Sequence, residues 1–144
     1  MSVYGRFKKS PEGFRQLVEL LESTPHTRRL KMIEVGMQED PAYTQQALEC
    51  MMTFEDVIRL PDLELAEVVA KAPPRVMAYS LNQVDEEIRT RFLRNAKPVV
   101  AAEIKGFLEV KIGAREVGGA QLKMVEIARG LEKMGRVRTK RIPM

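Results

Sequence analysis

Residues 51–62, Met51-Met52-Thr53-Phe54-Glu55-Asp56-Val57-Ile58-Arg59-Leu60-Pro61-Asp62, decide how the chain divides. The stretch sits between two runs of helical pattern. Met51, Met52, Phe54 and Val57 are large and apolar, and the acids Glu55 and Asp56 interrupt them. Pro61 lacks a backbone donor, and Asp62 offers an acceptor to the first turn of whatever follows. A segment that is apolar on one side and closed by Pro-Asp reads as a hinge between two helical bundles. Met51, Met52, Phe54 and Val57 are expected to pack at that hinge, and Glu55-Asp56 is read as a cap or a solvated face.

Upstream, three start signals recur. Ser10-Pro11-Glu12, Thr24-Pro25 and Asp40-Pro41 each combine a capping side chain with a proline suited to a first helical position. The helices they open carry Phe14, Leu17, Val18 and Leu21, then Leu30, Ile33 and Met37, then Tyr43, Ala47, Leu48 and Met51 as inward stripes. Arg28, Arg29 and Lys31 fall near the outer side of the second. Short turns between such helices predict an antiparallel helical layer. Residues 1–9 are short, basic and without a pattern.

Downstream, Leu63, Leu65, Val68 and Val69 mark a helix ending near Ala72, and Pro73-Pro74 opens another with Val76, Met77 and Leu81. Asp85 heads a third, whose acids precede its bases as the helix dipole favours, and Asn95 suits a left-handed cap. Pro98 opens a fourth, running to Ile112 and stopped by Gly113, in which Gly106 costs about 1 kcal/mol against Ala. Gly118-Gly119 reads as a flexible loop before a last helix from Ala120 to Met134, stopped by Gly135. No strand pattern competes. The fold expected is all-α, of roughly seven or eight helices. Its parts are a helical layer over 1–52, a hinge over 53–62, a small bundle over 63–137 and a basic tail over 138–144.

Composition narrows function by exclusion. The chain has 144 residues, 44% hydrophobic and 31% charged, the balance of an ordinary folded protein. Nine Met and no Trp make the core aliphatic and pliable. The net charge of +4 gathers at the ends, at Arg6, Lys8 and Lys9 and at Arg136, Arg138, Lys140 and Arg141, which read as solvated, frayed termini. Cys50 and His26 each stand alone, so neither a disulfide nor a metal site is expected. Cys50 reads as a small core residue and His26 as a surface residue in a helix's first turn. No phosphate-binding glycine loop, HExxH or CxxC occurs, and no catalytic residue or cofactor is expected. Arg89, Arg91, Arg94 and Asn95 raise a helix-turn-helix reading, but their spacing shows no clear turn, and no nucleic acid is expected. The absence of a long apolar run predicts a cytoplasmic protein.

The junction MMTFEDV resembles the MFxF-E-D/N segment of the FliG family, flagellar motor switch proteins of the rotor's cytoplasmic ring. Met51, Thr53 and Phe54 fit, and Met52 stands where the family has Phe. Glu19 to Met52 is similar to the armadillo-like helices that precede MFxF, including Glu39-Asp40-Pro41. Phe92 to Ala96 and Ala101 to Ile104 resemble the torque-helix region. Val117 to Val137 looks like the family's last helix, with Val117, Ala120, Gln121, Ala128, Arg129, Leu131, Glu132 and Gly135 in register. The likeness runs from Phe14 to Val137. It implies an armadillo-like layer, an MFxF-type hinge and a six-helix C-terminal bundle.

The resemblance also implies a non-enzymatic rotor part that meets a FliG-like neighbour, FliM and the stator's cytoplasmic loop, peripheral at the inner face of the cytoplasmic membrane. Self-association through the helical layers would follow. The charges left to face a stator are Glu103, Lys105, Glu109 and Arg115. Other torque positions depart from the family: its Lys falls on Asn82, its helix-opening Arg near Val99 and its acidic pair near Gly106-Phe107, which leaves a small apolar patch. The loop from Gly113 to Val117 is shorter than the family's. The chain starts at its own Met1 without the family's membrane-ring-docking domain or its EHPQ-type middle domain. It is therefore expected to be a short FliG-like paralogue or a fragment, either a switch component or a FliG-derived adaptor that has lost stator contact and serves gliding, polar localisation or secretion.

Overall fold

A computed structural model describes residues 3–143, so Met1, Ser2 and Met144 of the terminal segments lie outside the described residues. The described residues form ten helices: α1 (Val3–Lys9), α2 (Gly13–Ser23), α3 (His26–Glu39), α4 (Pro41–Cys50), α5 (Phe54–Ile58), α6 (Asp62–Lys71), α7 (Pro74–Ser80), α8 (Glu86–Arg94), α9 (Pro98–Leu108) and α10 (Ala114–Lys133). No strand occurs among them. The chain divides into two compact units. One takes the residues up to Met52 together with those from Lys140 onward, and the other takes Thr53–Thr139.

In the first unit, Leu17, Val18 and Leu21 of α2 are fully buried at helical spacing and form a core with Tyr4, Ala47 and Ile142. Tyr4 belongs to α1, a helix in the stretch that showed no pattern in the sequence. Its hydroxyl donates to the Met32 carbonyl of α3. Tyr4 is therefore a core residue, while Arg6, Lys8 and Lys9 of the same helix are exposed. Ser10-Pro11-Glu12 does not open α2. It forms the turn between α1 and α2, with the Gly13 amide on the Ser10 carbonyl at 3.0 Å. Gly13 starts the helix because the Phe7 carbonyl lies where its Cβ would be, 1.5 Å away. Thr24 closes α2 instead of opening α3: its Oγ1 donates to the Leu20 carbonyl at 2.6 Å. Arg29 covers the same end of α2, donating to the carbonyls of Leu21, Glu22 and Thr24 at 2.8, 3.1 and 3.1 Å, so it is no outer-surface residue.

The inward face of α3 is Met32, Ile33 and Gly36, while Leu30 and Met37 of the expected stripe stay 52% and 40% exposed. His26 is exposed in the first turn of α3. Asp40-Pro41 opens α4 as its residues indicate, with the Asp40 carboxylate accepting the Tyr43 amide at 3.1 Å.

In the second unit, α10 packs against α5, α6 and α7, and α7 against α9. Val117, Met124, Val125, Ala128 and Leu131 bury one face of α10. This helix absorbs Gly118-Gly119, where a loop was expected, because Val117 and Ala120 on either side are buried and hold the backbone in register. Gly113 precedes α10, with its amide on the Glu116 carboxylate, and does not stop α9, which ends at Leu108. Asn95 is right-handed (φ −88°) and not a left-handed cap; its amide group donates to the Arg91 carbonyl at 2.9 Å. Asp62 is the first residue of α6, makes no capping bond, and pairs with Arg91 instead. Gly135, with φ +77°, ends α10: its amide meets the Glu132 carbonyl at 3.0 Å and the Arg136 amide meets that of Leu131 at 2.9 Å.

Several residues of the C-terminal segment, expected as a basic tail, are held by the fold. Val137 is buried, Glu64 binds residues 138 and 139, and Ile142 is part of the first unit's core.

Two expectations follow. A Cβ at Gly36 would lie 2.5 Å from Thr44 Oγ1 and 2.5 Å from Tyr4 Cζ, whereas one at Gly118 meets nothing within 4 Å. Gly36→Ala therefore destabilises by about 1–3 kcal/mol through overpacking, while Gly118→Ala stabilises by about 0.5–1 kcal/mol; urea melts check both.

The second concerns pH. Burial, then the Glu39 charge, raise the Tyr4 phenol above 10.0. The hydrogen bond to Asp40 raises Lys8 above 10.5, and the reciprocal bond, then the Tyr43 amide, hold Asp40 below 3.8. Raised groups stabilise below their unfolded values and lose that contribution as pH rises through the folded ones; a lowered carboxylate loses it as pH falls. The first unit should thus lose stability above pH 10.0 and below 3.8, and Asp40→Asn should shrink the acid-side loss in pH-dependent melts.

Candidate interaction surfaces

The junction residues divide between the units. Met51 packs, partly buried, against the first unit's core, and so does Cys50. Met52 is buried, and its amide donates to the carboxylate of Glu22, itself only 3% exposed, at 2.7 Å. A buried carboxylate is tolerable when such donors satisfy it, and a charge-assisted bond is stronger than a neutral one. One residue on, Thr53 belongs to the second unit and opens α5 with a capping box. Asp56 Oδ2 accepts the Thr53 amide at 2.8 Å and its hydroxyl at 3.0 Å, and Thr53 Oγ1 accepts the Asp56 amide at 3.3 Å. Asp56 is therefore a cap, while Glu55 is solvated, 4.0 Å from Arg59.

Val57 is fully buried. Phe54 is half-buried and lines an open groove of about 520 Å³ with Ile58, Val84 and Ile88, rimmed by Glu55, Gln83, Asp85 and Gln121.

Arg91 organises the second unit and was read from sequence only as a basic residue of α8 and as part of a helix-turn-helix pattern. Its guanidinium donates to the Ile58 carbonyl at 2.6 Å, to the Leu60 carbonyl, and to Asp62 Oδ1 at 3.0 Å, tying α8 to the turn between α5 and α6. Arg89 likewise donates to the carbonyls of Leu81, at 2.9 Å, and Asn82. Two of the arginines behind the helix-turn-helix reading thus serve folding. No local signal could have identified Arg91, because its acceptors lie 29 to 33 residues earlier.

The charged positions share α9 and its surroundings. Ile104 is fully buried, which fixes the helix, and leaves Glu103 and Lys105 exposed on it. Glu109 follows the end of α9, Arg115 lies in the first turn of α10, and both are exposed. Asn82 is half-buried, and Gly106 faces open space. Val99 is 72% exposed. Phe107, expected to form a small apolar patch with Gly106, lies beside it on α9. It is half-buried and meets Tyr79 edge-on, the rings 6.5 Å apart at 90°. Val99 is the apolar side chain left open near the start of the helix. Among the described residues, no cluster of His, Cys, Asp and Glu is placed to hold a metal ion, and no helix is long and apolar enough to cross a membrane.

Stability should rank these positions. Met52→Ala costs about 2–5 kcal/mol, and half-buried Phe54→Ala about 1–2 kcal/mol. Arg91→Ala costs about 2–3 kcal/mol through the orphaned carbonyls, and Arg91→Lys recovers little, because an ammonium cannot span those acceptors. Denaturant melts of the single variants check the order.

Comparison with known proteins places this arrangement. The sequence profile of the FliG C-terminal domain matches residues 37–138. The flagellar motor switch protein FliG of Thermotoga maritima is 26% identical over 127 residues, covering 87% of this chain and 38% of that protein. Its counterpart in Aquifex aeolicus is 30% identical over 132 residues, covering 88% and 39%. The chain thus spans less than two fifths of the length of either relative. Among solved structures, a FliG fragment from H. pylori superposes with a TM-score of 0.66 at 20% identity, over 88% of this chain and 60% of that one. Full-length FliG from Aquifex aeolicus gives 0.56 at 26% identity, over 88% and 40%. On the match across residues 37–138, the chain belongs to the FliG C-terminal domain family.

Proposed function

We propose that this chain is a non-enzymatic component of the bacterial flagellar motor switch, working in the rotor's cytoplasmic ring by protein contact in motility, torque generation and switching. The observation that carries the reading is the family match across residues 37–138, which takes in α4 to α10. The surfaces suit the role. Glu103, Lys105, Glu109 and Arg115 are solvent-facing charges of both signs on or beside a helix pinned by Ile104. Such a face makes fast, salt-sensitive contacts of the kind a passing stator loop requires. Exposed Leu30 and Met37, two turns apart on α3, offer an apolar face to a FliG-like neighbour or to FliM. The junction at Met51, Met52, Phe54 and Val57 serves as the hinge between the two units. The protein works in the cytoplasm, against the inner face of the membrane that holds the motor.

Charge variants test the stator contact. Lys105→Glu and Arg115→Glu should each slow swimming, and Gly106→Glu, which places an acid in open space, should alter it without unfolding the bundle. Swimming speed unchanged in all three would leave a FliG-derived adaptor without stator contact, consistent with the loss of the family's acidic pair at Gly106-Phe107.

A further inference from the structure

The open groove beside α5 is lined by residues of the second unit alone. Its apolar residues come in two pairs. Phe54 and Ile58 lie four residues apart on α5, and Val84 and Ile88 lie four apart across the start of α8. All four are half-buried, so each keeps part of its side chain in solvent. The volume, about 520 Å³, falls within the range of ligand clefts.

The rim is acidic. Glu55 and Asp85 line the groove and are exposed, and Glu86 and Glu87 follow in the first turn of α8, exposed as well. Asp85 makes no capping bond to its own helix. The cations of the same elements do not offset these acids. Arg91 is committed to the Ile58 and Leu60 carbonyls and to Asp62. Arg89 is committed to the Leu81 and Asn82 carbonyls and lies 3.8 Å from Glu86. Arg94 is in the last turn of α8, at the far end from Asp85. Arg59 stands 4.0 Å from Glu55 with both side chains exposed, a surface pair worth little. A chain of net charge +4 thus gathers acid around an apolar cleft.

We infer that this groove docks a basic amphipathic helix of a partner protein, seating two apolar side chains one turn apart and pairing Arg or Lys on its flanks with Glu55 and Asp85. Residues at i and i+4 rise about 6 Å along a helix. The two apolar pairs repeat at that interval, and anchors one turn apart match it. An acidic partner would meet like charge at the rim and lose affinity. No residue of α9 lines the groove, so this contact is separate from the charged face proposed for the stator.

The test titrates the isotope-labelled full chain with a synthetic helical peptide that bears two leucines one turn apart and arginines on both flanks, and follows the amide shifts. Saturable shifts should centre on residues 53–58 and 83–88. Replacing both leucines with alanine should weaken binding about tenfold or more, and exchanging the arginines for glutamates should abolish it. In the chain, Glu55→Gln with Asp85→Asn should weaken binding about fivefold, and so should Ile88→Ala with the acids intact. Glu103→Gln with Glu126→Gln removes two exposed acids outside the groove and should leave binding unchanged. Shifts centred elsewhere, equal loss in the two double variants, or equal affinity for the acidic peptide overturns the inference. So does a shift of the groove amides when the chain alone is diluted, which would mark a second copy as the occupant.

Discussion

The buried Glu22 carboxylate on the Met52 amide is the interaction from which the rest of the architecture follows. It ends the first unit at a defined residue, 30 positions after the glutamate that recognises it. The next residue, Thr53, is claimed by the capping box that starts α5. Two successive residues are thus fixed by two different units, each within its own structure. A hydrophobic residue at position 22 would leave the Met52 amide without this acceptor.

Beyond Thr53, order propagates through charged groups that bind backbone. Arg91 gathers the carbonyls left over at the end of α5, and Arg89 gathers those after α7. Arg29 does the same at the end of α2 in the first unit. These arginines satisfy carbonyls that helix ends leave unpaired. In short helices joined by tight turns, such ends are numerous. Glu103 and Lys105 on α9, and Glu109 and Arg115 after it, are exposed to solvent.

Local chemistry was legible in the sequence, and distant partnership was not. Asp40-Pro41, Pro73-Pro74 and Pro98 mark true helix starts and Gly135 a true stop, because proline geometry and a left-handed glycine act within one turn. The second proline signal fared differently: Thr24 spends its hydroxyl on the helix behind it. Helix α1 was invisible because its anchor, Tyr4, gains its burial from residues of α2 and α4. Gly118-Gly119 reads as a loop from propensity, yet the buried residues around it keep it helical, and tertiary packing overrides so small a preference. The terminal strand of contacts was equally unreadable, since Thr139 finds its acceptor 75 residues upstream. On α9, the exposed charges could be named from residue type, while the turn of Phe107 onto Tyr79 required coordinates.

The central claim, that the chain is a rotor part, is tested most directly by where it resides. A fluorescent fusion imaged in its own cells beside marked flagellar bases should form spots coincident with the bases, and those spots should vanish when the switch ring is deleted. Diffuse signal, or spots elsewhere that survive the deletion, would contradict the claim and show the family's fold at work in another assembly.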